Sequence, residues 1–402
     1  MINKMLSRTV MILSNNIECE RTVQYFAKIE KYFVANQWEV VEEFERADKI
    51  VICACGFHKS MYDKVMNTIK SLAKIGYPEE NIIMMGCLPK TFEEEIQSFY
   101  TGKIVEIKSE DALDLLIDAE IPFKDVDVSN LFTIRQDEQE DKKDAMFYIK
   151  ISDGCLGNCT YCIIKKAKGQ LESVPEAEIL KQYQTAIESG YRKIYLSAED
   201  TFAYGLDRDS TIVSLLHSML LISDDVELYF GGLDIQWLRK YWPEILELCE
   251  KGIIKKLDMG MQHINPRILK RMVRDIHFEE GYSIIGKMKS KCPDLYISAD
   301  IIVGFPGETE EDFFELLDFF RTDSYFNVIK HHGYSDNKGA ASYKLDGKVD
   351  PVEIIQRWSD LKDVLQDRSV YNAGNKMDKQ GIAFKKTFEE DMFVCIGTYV
   401  DL

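Results

Sequence analysis

Residues 148–162 read Tyr-Ile-Lys-Ile-Ser-Asp-Gly-Cys-Leu-Gly-Asn-Cys-Thr-Tyr-Cys, a strand-forming stretch followed at once by three cysteines. These cysteines, Cys155, Cys159 and Cys162, are separated by three residues and then by two. Thiolates are the ligands that iron–sulfur clusters prefer, and three of them on one short loop can hold three irons of a [4Fe-4S] cube. The fourth iron is then left without a protein ligand, and chemistry can take place there.

The alternative interpretation of this loop is a zinc site that lacks one ligand, or a chance arrangement. Structural zinc sites usually combine paired Cys-x-x-Cys units with a fourth Cys or His at short spacing. The next histidine after Cys162 is His217. The spacing therefore favours the iron–sulfur cluster.

The composition indicates a globular protein of more than one domain. The chain has 402 residues, is 46% hydrophobic and carries a formal net charge of −18. Its ten cysteines are too sparse for a disulfide scaffold, so we expect metal ligands and core residues in a reducing cytoplasm. We predict a cytoplasmic protein without a membrane partner, because we find neither a membrane-length apolar run nor a signal-peptide core.

The negative charge also bears on the partner. Affinity for nucleic acid comes mainly from Lys and Arg contacts with phosphates, and a strongly acidic chain repels them. We therefore expect a peptide, protein or small-molecule substrate rather than a nucleic acid.

The predicted fold class is α/β. Residues 1–123 alternate between strand and helix patterns, which predicts a doubly wound parallel sheet with functional loops at the carboxyl ends of its strands. The predicted strands lie at 9–14, 49–54 and 81–86, and the predicted helices at 21–37 and 60–75. Cys55 and Cys87 each follow a predicted strand, in a turn that contains glycine.

A second alternating region follows a polar, charge-dense linker predicted at residues 124–144. Residues 145–350 are expected to form a partial (β/α)6 barrel whose active site faces the carboxyl ends of the strands. Its predicted strands are 147–152, 193–197, 227–231, 256–259, 297–303 and 327–332. Residues 351–402 are expected to form a helix at 351–370 and a short β extension with strands at 381–388 and 392–400.

Several segments outside the cysteine loop also carry recognisable patterns. They are Cys55-Gly-Phe, Gly86-Cys-Leu, Ala198-Glu-Asp-Thr-Phe-Ala-Tyr-Gly205, Gln262-His-Ile-Asn-Pro-Arg267 and Ile302-Val-Gly-Phe-Pro-Gly-Glu308. Together with residues 148–162, they resemble the radical S-adenosylmethionine (SAM) methylthiotransferase family over residues 9–345. The chain is more similar to the members that modify an aspartate of a ribosomal protein than to the tRNA-modifying members. The resemblance implies that SAM binds at the open iron and, on reduction of the cluster, is cleaved to a 5′-deoxyadenosyl radical.

The resemblance also implies a second, auxiliary [4Fe-4S] cluster on the N-terminal domain. In the family, three cysteines hold this cluster, and its open iron is proposed to bind the sulfur that is transferred. Cys55 and Cys87 match the second and third of these cysteines. Alternatively, they are small buried hydrophobic residues at strand ends, which is common for free cysteine.

The first auxiliary position departs from the family pattern. The matching residue is one of three, and none is a cysteine: Asn15, Asn16 or Ile17. Either Cys19 supplies the third thiolate from a rebuilt loop, or the site is degenerate and Cys19 is an ordinary thiol. Cys53 is a weaker substitute, because it shares a strand face with Cys55 but lies deeper in the sheet.

The resemblance further implies SAM-binding groups at the mouth of the barrel: Tyr161, Glu199, Asp200, Gln262, Arg267, Gly304 and Gly307. The two glycines allow close backbone approach to a ligand. The same loop also has the pattern of a helix start, with Thr309 as N-cap before acidic residues, and both can hold. Arg267 is alternatively a solvated helix charge. His263 is either a hydrogen-bonded residue behind the site or a substrate contact.

Two further departures affect the expected substrate. Lys168 stands where the family usually has arginine before a glycine, which keeps the charge but loses bidentate pairing. The family also ends in a β-barrel module called TRAM, and residues 371–402 are too few to close such a barrel. We therefore expect a truncated or absent TRAM module and a peptide or protein substrate.

Together, these patterns predict a radical SAM enzyme that abstracts hydrogen from an unactivated carbon and inserts sulfur or a methylthio group. We expect its electrons to come from a reductant such as flavodoxin or ferredoxin. The alternative is a radical SAM peptide-modifying enzyme without methylthiolation, for epimerisation, cross-linking or another C–H modification. A binding protein with a vestigial cluster is a third interpretation, which the intact cysteine loop disfavours.

Overall fold

The computed structural model describes residues 8–16, 19–126 and 142–369, together with the strand backbone at 384–387 and 392–395. The chain divides into two compact units. The first unit comprises Met1–Gln139, Ile163–Lys168 and Met377–Leu402, and the second comprises Glu140–Cys162 and Gly169–Lys376. The domain boundaries expected at 123, 144 and 350 stay predictions, and residues 127–141 of the predicted linker lie outside the described residues.

The described strands, in chain order, are β1 Arg8–Ser14, β2 Trp38–Val40, β3 Lys49–Ala54, β4 Ile82–Gly86, β5 Lys103–Glu106, β6 Met146–Lys150, β7 Ser152–Asp153, β8 Glu172–Ser173, β9 Lys193–Ser197, β10 Glu227–Leu233, β11 Ile254–Gln262, β12 Tyr296–Val303, β13 Val328–Gly333, β14 Phe384–Thr387 and β15 Met392–Cys395.

The described α-helices are α1 Glu20–Ala35, α2 Lys59–Lys74, α3 Leu88–Thr91, α4 Glu93–Gln97, α5 Asp111–Ile117, α6 Lys165–Lys168, α7 Glu176–Glu188, α8 Ile212–Ile222, α9 Ile235–Glu250, α10 Pro266–Met272, α11 Phe278–Lys291, α12 Glu310–Thr322 and α13 Pro351–Leu365. Short 3-10 turns lie at Phe44–Arg46, Glu79–Asn81, Phe123–Asp125, Thr201–Ala203, Ala341–Lys344 and Gln366–Arg368.

The sheet of the first unit has a doubly wound parallel core. Strands β2, β1, β3, β4 and β5 are adjacent in that order and run parallel. Alternate residues of β1 and β3 pack with the apolar face of α2, and α1 covers the opposite face. The strand order reverses between β1 and β3, and in sheets of this type ligands bind beyond the carboxyl ends of the strands at that point.

The C-terminal strands join this first sheet. β15 pairs antiparallel with Leu13 and Ser14 of β1, and β14 pairs antiparallel with β15. Because β2 pairs only with Arg8–Val10, the second half of that β1 edge is available for another strand. The expected β extension is observed at 384–387 and 392–395 as part of the N-terminal sheet, and the remaining residues of the predicted strands 381–388 and 392–400 lie outside the described residues.

The second unit is built on six parallel strands in the order β13-β12-β11-β10-β9-β6. Helices α7 to α12 lie between successive strands in the chain, and the apolar residues of strands and helices form one buried core. This arrangement confirms the predicted α/β class and the six strands of a partial (β/α) barrel. The predicted helix at 351–370 ends earlier, at Leu365, where the short turn Gln366–Arg368 follows.

Within the part of the chain that the structure describes, every helix is either too short or too polar to span a lipid bilayer.

Candidate functional site

The cysteine loop begins directly after the first strands of the second unit. β7 and β8 form a small antiparallel hairpin, with Ser152 opposite Ser173 and Asp153 opposite Glu172. This pairing closes the loop at its base. The backbone N–H of Cys155 also donates to the carbonyl of Gly169, at 3.4 Å.

Thr160 fixes the middle of the loop. Its backbone N–H donates to the carbonyl of Met272 at 3.0 Å, and its hydroxyl donates to the carbonyl of Arg271 at 2.9 Å. Its own carbonyl accepts the N–H of Ser342 at 2.8 Å. The loop is therefore held at the C-terminal end of α10, where helix carbonyls lack partners within the helix.

Glu199 fixes the start of the loop. Its Oε2 accepts the backbone N–H of Gly154 at 2.9 Å. Gly154 has φ +71°, and a Cβ added there would lie 2.0 Å from the carbonyl oxygen of Gln170. Only glycine satisfies both conditions, so the turn into the cysteines depends on this residue.

The sulfur atoms of Cys155 and Cys159 both lie close to Gly157. A Cβ added to Gly157 would be 3.3 Å from Cys155 Sγ and 3.5 Å from Cys159 Sγ. The N–H of Gly157 donates to Cys155 Sγ at 3.1 Å. Burial and, to a smaller extent, the charge of Asp200 raise the pKa of the Cys155 thiol to about 12, against the opposing effect of the Gly157 hydrogen bond.

These features fit a [4Fe-4S] cluster whose irons are bound by the cysteine sulfurs. Binding of iron replaces the thiol proton, and an N–H donor stabilises the resulting thiolate. Among the described residues, no three His, Cys, Asp or Glu side chains converge where a single metal ion would sit. A cube does not need such convergence, because each thiolate binds a different iron.

Arg274 is a residue at this site that the sequence interpretation missed. Its Nη1 lies 3.5 Å from Cys159 Sγ and 2.6 Å from Asp234 Oδ2, and its Nη2 donates to the carbonyl of Gly260. The Tyr161 hydroxyl also contacts the Cys159 thiol, and burial raises the pKa of this tyrosine well above its usual value. The basic run at 267–271 pointed to this part of the chain, but helical periodicity does not predict the turn that brings Arg274 back to the loop.

Asp200 lies buried beside this network. Its carboxylate accepts the Trp237 Nε1–H at 2.7 Å and the backbone N–H of Asp234 at 3.4 Å. Burial raises the pKa of Asp200 to about 7, and Asp234 adds to the rise, whereas the Trp237 hydrogen bond opposes it. Asp200 is therefore poised to hold or release a proton near neutral pH.

Gln262 and Arg267 lie at the end of β11 and in α10. The pairing of β11 with β12 shifts register between Met259 and Gln262, and Gln262 has φ +71°. Arg267 forms an ion pair with Asp312 and donates to the carbonyl of Gly307 at 2.9 Å. Arg267 thus tethers α10 to the loop before α12, and its predicted contact with SAM stays a prediction.

The loop after β12 needs its glycines for packing. Gly304 has φ +75°, and an added Cβ would lie 2.5 Å from Ile354 of α13. Gly307 has φ +94°, and its Cβ would lie 2.7 Å from Arg271 Nε. These contacts account for both glycines by packing, and their contact with SAM also stays a prediction.

The helix start after this loop is confirmed. Thr309 and Asp312 form a reciprocal capping box at the N-terminus of α12. Glu308 is buried, accepts the N–H of Gly304 at 2.8 Å and pairs with Arg357 at 2.7 Å. His263 is fully buried, its Nδ1 accepts the N–H of Asn265 at 3.0 Å, and its Nε2 lies 3.7 Å from Glu308 Oε2.

Cysteines lie near the carboxyl end of the first sheet. Cys55 follows β3, Cys19 precedes α1, and Cys87 precedes α3. Burial raises the pKa of Cys55, and the nearby Cys19 adds to the rise. Burial also raises the pKa of Cys53, and the charges of Cys87, Cys55 and Cys19 add to the rise.

Asn15 and Asn16 lie where the sequence departs from the family pattern, and both contact Cys55. The Asn15 side chain accepts the Cys55 N–H at 2.7 Å and donates to the carbonyls of Cys55 and Met61 at 2.9 and 3.0 Å. The Asn16 amide donates to Cys55 Sγ at 3.4 Å. Asn15 therefore fixes the backbone of a predicted ligand, and Asn16 places a donor on its sulfur.

Of the other cysteines, Cys249 is buried in the core of the second unit, Cys292 packs against that core, and the side chain of Cys395 lies outside the described residues.

Comparisons with known proteins find matches over both units of the chain. A family model described as "Radical SAM superfamily" matches residues 149–320, and one described as "Uncharacterized protein family UPF0004" matches residues 13–105. The structure of the radical SAM methyltransferase TsrM from Kitasatospora setae has a TM-score of 0.51 at 12% identity, covering 82% of this chain and 75% of that one. At this identity, the likeness supports the fold alone.

Curated relatives are more similar in sequence. "Ribosomal protein uS12 methylthiotransferase RimO" of Carboxydothermus hydrogenoformans is 31% identical over 81% of this chain and 75% of its own length. A "Probable threonylcarbamoyladenosine tRNA methylthiotransferase" of Methanocaldococcus jannaschii is 28% identical over 83% of this chain and 77% of its own length. On this similarity, and with the cysteine loop in place, the chain belongs to the radical SAM methylthiotransferase family.

Proposed function

We propose that this protein transfers sulfur or a methylthio group to an unactivated carbon of a peptide or protein substrate. The radical SAM family implies a [4Fe-4S] cluster and SAM, and in our proposal Cys155, Cys159 and Cys162 hold that cluster. When bound and reduced, the cluster supplies the electron that cleaves SAM. The observation that carries the proposal is the placement of the Cys155 and Cys159 sulfurs around Gly157, whose N–H donates to one of them.

The residues around the loop have distinct roles in this proposal. Glu199 holds the start of the loop through Gly154, and the backbone at the end of α10 holds Thr160. Asp200 holds a proton near neutral pH next to the thiols. These contacts fix the loop before the cluster binds, so little ordering is left to oppose assembly.

SAM is proposed to bind at the carboxyl ends of β9, β11 and β12. The candidate contacts are Tyr161, Glu199, Asp200, Gln262, Gly304 and Gly307, with Arg267 as a further candidate. In a parallel sheet of this kind, these strand ends share one face, which is where such folds bind their ligands. The ion pair of Arg267 with Asp312 argues that it acts by holding this loop in place.

The auxiliary cluster is proposed to use Cys55, Cys87 and Cys19. Support comes from the position of these cysteines: Cys55 follows β3, Cys87 follows β4 and Cys19 precedes α1, at the edge where the strand order of the first sheet reverses. Cys53 is the alternative third thiol, although its sulfur is buried and lies 3.9 Å from the carbonyl of Thr22. A second open iron in this unit would present the sulfur for transfer.

A peptide or protein substrate is favoured by charge. The net charge of −18 repels nucleic acid but attracts a basic protein segment. Relatives named for ribosomal protein uS12 are in line with a protein substrate. A low-potential reductant of the flavodoxin or ferredoxin class would supply the electrons.

Anaerobic reconstitution tests the proposal. The wild-type chain should bind about eight irons and eight sulfides, as two [4Fe-4S] clusters require. A Cys155→Ala, Cys159→Ala, Cys162→Ala variant should retain about half of this iron and lose formation of 5′-deoxyadenosine from SAM. Equal iron content in the two proteins would overturn the proposal.

A radical SAM modification of a peptide without methylthiolation stays a second candidate function. No cysteine stands at positions 15–17, where the family has the first ligand of the auxiliary cluster. A wild-type chain that binds about four irons and still cleaves SAM would favour it.

A further inference from the structure

Arg274 places a buried positive charge against one sulfur of the cysteine loop. Its guanidinium donates to Cys159 Sγ from the same nitrogen, Nη1, that pairs with Asp234. The side chain is only 11% exposed. Arginine stays protonated in proteins, so this charge is present at every working pH.

The backbone forces the side chain into this position. Val273, between α10 and Arg274, has φ 57° and ψ 49°, which is the left-handed region that β-branched residues rarely adopt. The N–H of Arg274 donates to the carbonyl of Leu269 at 2.9 Å. The neighbouring carbonyls of Arg271 and Met272 accept both hydrogen bonds of Thr160 in the cysteine loop. One strained turn therefore holds both the loop and the cation against it, and strain of this kind is maintained where function requires it.

The positive charge of Arg274 affects how readily a cluster in the cysteine loop is reduced. One electron from a reductant of the flavodoxin or ferredoxin class adds one negative charge to a site that already holds three thiolates, and no bond or proton changes. A positive charge and an N–H donor at a ligand sulfur both favour the reduced form. The Asp234 carboxylate works in the opposite direction, because it lies next to the same guanidinium.

We propose that Arg274 is a positioning residue that raises the reduction potential of the cluster held by Cys155, Cys159 and Cys162. The proposal rests on the proposed function, since it requires that this loop holds the cluster. It does not require a particular substrate. A purely structural role for Arg274, as a clamp between Gly260 and Asp234, would leave the potential unchanged.

Two substitutions with opposite expected signs test the proposal. Arg274→Gln keeps a donor but removes the charge, so it should lower the midpoint potential of the loop cluster. Asp234→Asn removes the opposing carboxylate and keeps an N-cap for α9, since asparagine caps helices as well as aspartate does, so it should raise the potential. Arg274→Lys keeps the charge and should shift the potential less than Arg274→Gln.

The matched control is Arg368→Gln. Arg368 is likewise a partly buried arginine that pairs with an aspartate, Asp323, at 2.7 Å. Its hydrogen bonds to Asp323 and Phe320 lie away from the cysteine loop. This variant should keep the wild-type potential. All variants are reconstituted anaerobically as full-length chains, with iron content measured first.

The measurement is a redox titration followed by electron paramagnetic resonance, using the signal that Cys155→Ala eliminates. Arg274→Gln should make reduction at least tenfold less favourable, which is about 59 mV for a one-electron couple. An unchanged potential in Arg274→Gln, or shifts of the same sign in Arg274→Gln and Asp234→Asn, would overturn the inference. If Arg274→Gln does not assemble, the rise expected for Asp234→Asn decides alone. A wild-type chain without the Cys155-dependent signal overturns the proposed function itself.

Discussion

The side-chain amide of Asn16 donates a hydrogen bond to Cys55 Sγ across 3.4 Å. Asn16 is one of the three residues at the position where the family has its first auxiliary cysteine. A hydrogen-bond donor therefore contacts a predicted ligand sulfur at the place where a further sulfur is expected. The third thiolate, if this unit holds a cluster, has to come from the neighbouring cysteines.

Cys19 and Cys53 can be separated by substitution. Cys19→Ala should lower the iron content from about eight to about four per chain, because its thiol stands at the open start of α1. Cys53→Ala should leave about eight, since Cys53 lies within β3 and its thiol donates to the carbonyl of Thr22. Iron content and the optical spectrum after anaerobic reconstitution report the result.

Cys249→Ala serves as the control for loss of a buried thiol, because Cys249 lies in the core of the second unit. Loss of iron from Cys53→Ala with retention in Cys19→Ala would assign the third thiolate to Cys53 instead.

Gly157→Ala should impair assembly of the loop cluster. Its new methyl group would lie 3.3 and 3.5 Å from the sulfurs of Cys155 and Cys159, where the cluster has to be held between them. We expect at least a twofold loss of the iron that depends on these cysteines. Leu156→Ala is the control, since Leu156 is an exposed side chain of the same loop and its truncation adds no atom. Full iron content in Gly157→Ala would contradict the geometry proposed for this site.

Val273→Gly should stabilise the protein. Left-handed backbone costs a β-branched residue about 1–2 kcal/mol, and glycine removes that cost. Part of the gain is lost because glycine is more flexible in the unfolded chain. Urea denaturation of the apoprotein at constant pH measures the change in the free energy of unfolding.

Val352→Gly provides the comparison, because Val352 is an exposed residue of the regular helix α13. Glycine there should destabilise the protein by about 0.5 kcal/mol. Destabilisation by both glycine variants would mean that the turn at Val273 is not strained.

Asp200→Asn should change how stability depends on pH. The pKa of Asp200 is about 7 in the folded protein, against 3.8 ordinarily. Below pH 3.8 the Asp200 carboxyl holds its proton in both the folded and the unfolded protein, so its contribution to the free energy of unfolding is fully present. Between pH 3.8 and 7 only the unfolded protein releases this proton. The contribution is therefore lost as the pH rises toward 7. The loss is on the order of 4 kcal/mol at most.

Asparagine cannot ionise and still offers an oxygen to Trp237 Nε1. The variant should therefore match the wild type in urea denaturation near pH 4 and exceed its stability near pH 8. A difference between the two proteins that does not vary with pH would show that Asp200 does not titrate as its burial implies.

Local sequence patterns were sufficient for much of the fold. The apolar stretches at β1, β3 and β4 and the six parallel strands β6 and β9 to β13 lie within a few residues of their predicted positions. The helix start at Thr309 was also predictable from the sequence, because its capping partner Asp312 is three residues away. These features depend on neighbours in the chain, which is the information that periodicity and turn residues carry.

Contacts between distant residues were not predictable in this way. The pairing of β15 with β1 joins Val394 to Leu13, and the contact of Arg274 with Cys159 spans more than a hundred residues. The role of Asn15 as a clamp on the Cys55 backbone was likewise missed, because a cysteine was expected near that position. Such contacts depend on how strands and loops meet in space.

The most direct test of the central claim compares SAM cleavage by the wild-type chain and by Cys159→Ala after anaerobic reconstitution, with a strong reductant present. The account predicts that the wild type forms 5′-deoxyadenosine and that Cys159→Ala forms none, while the iron bound by the first unit remains. Undiminished 5′-deoxyadenosine formation in Cys159→Ala would contradict the account.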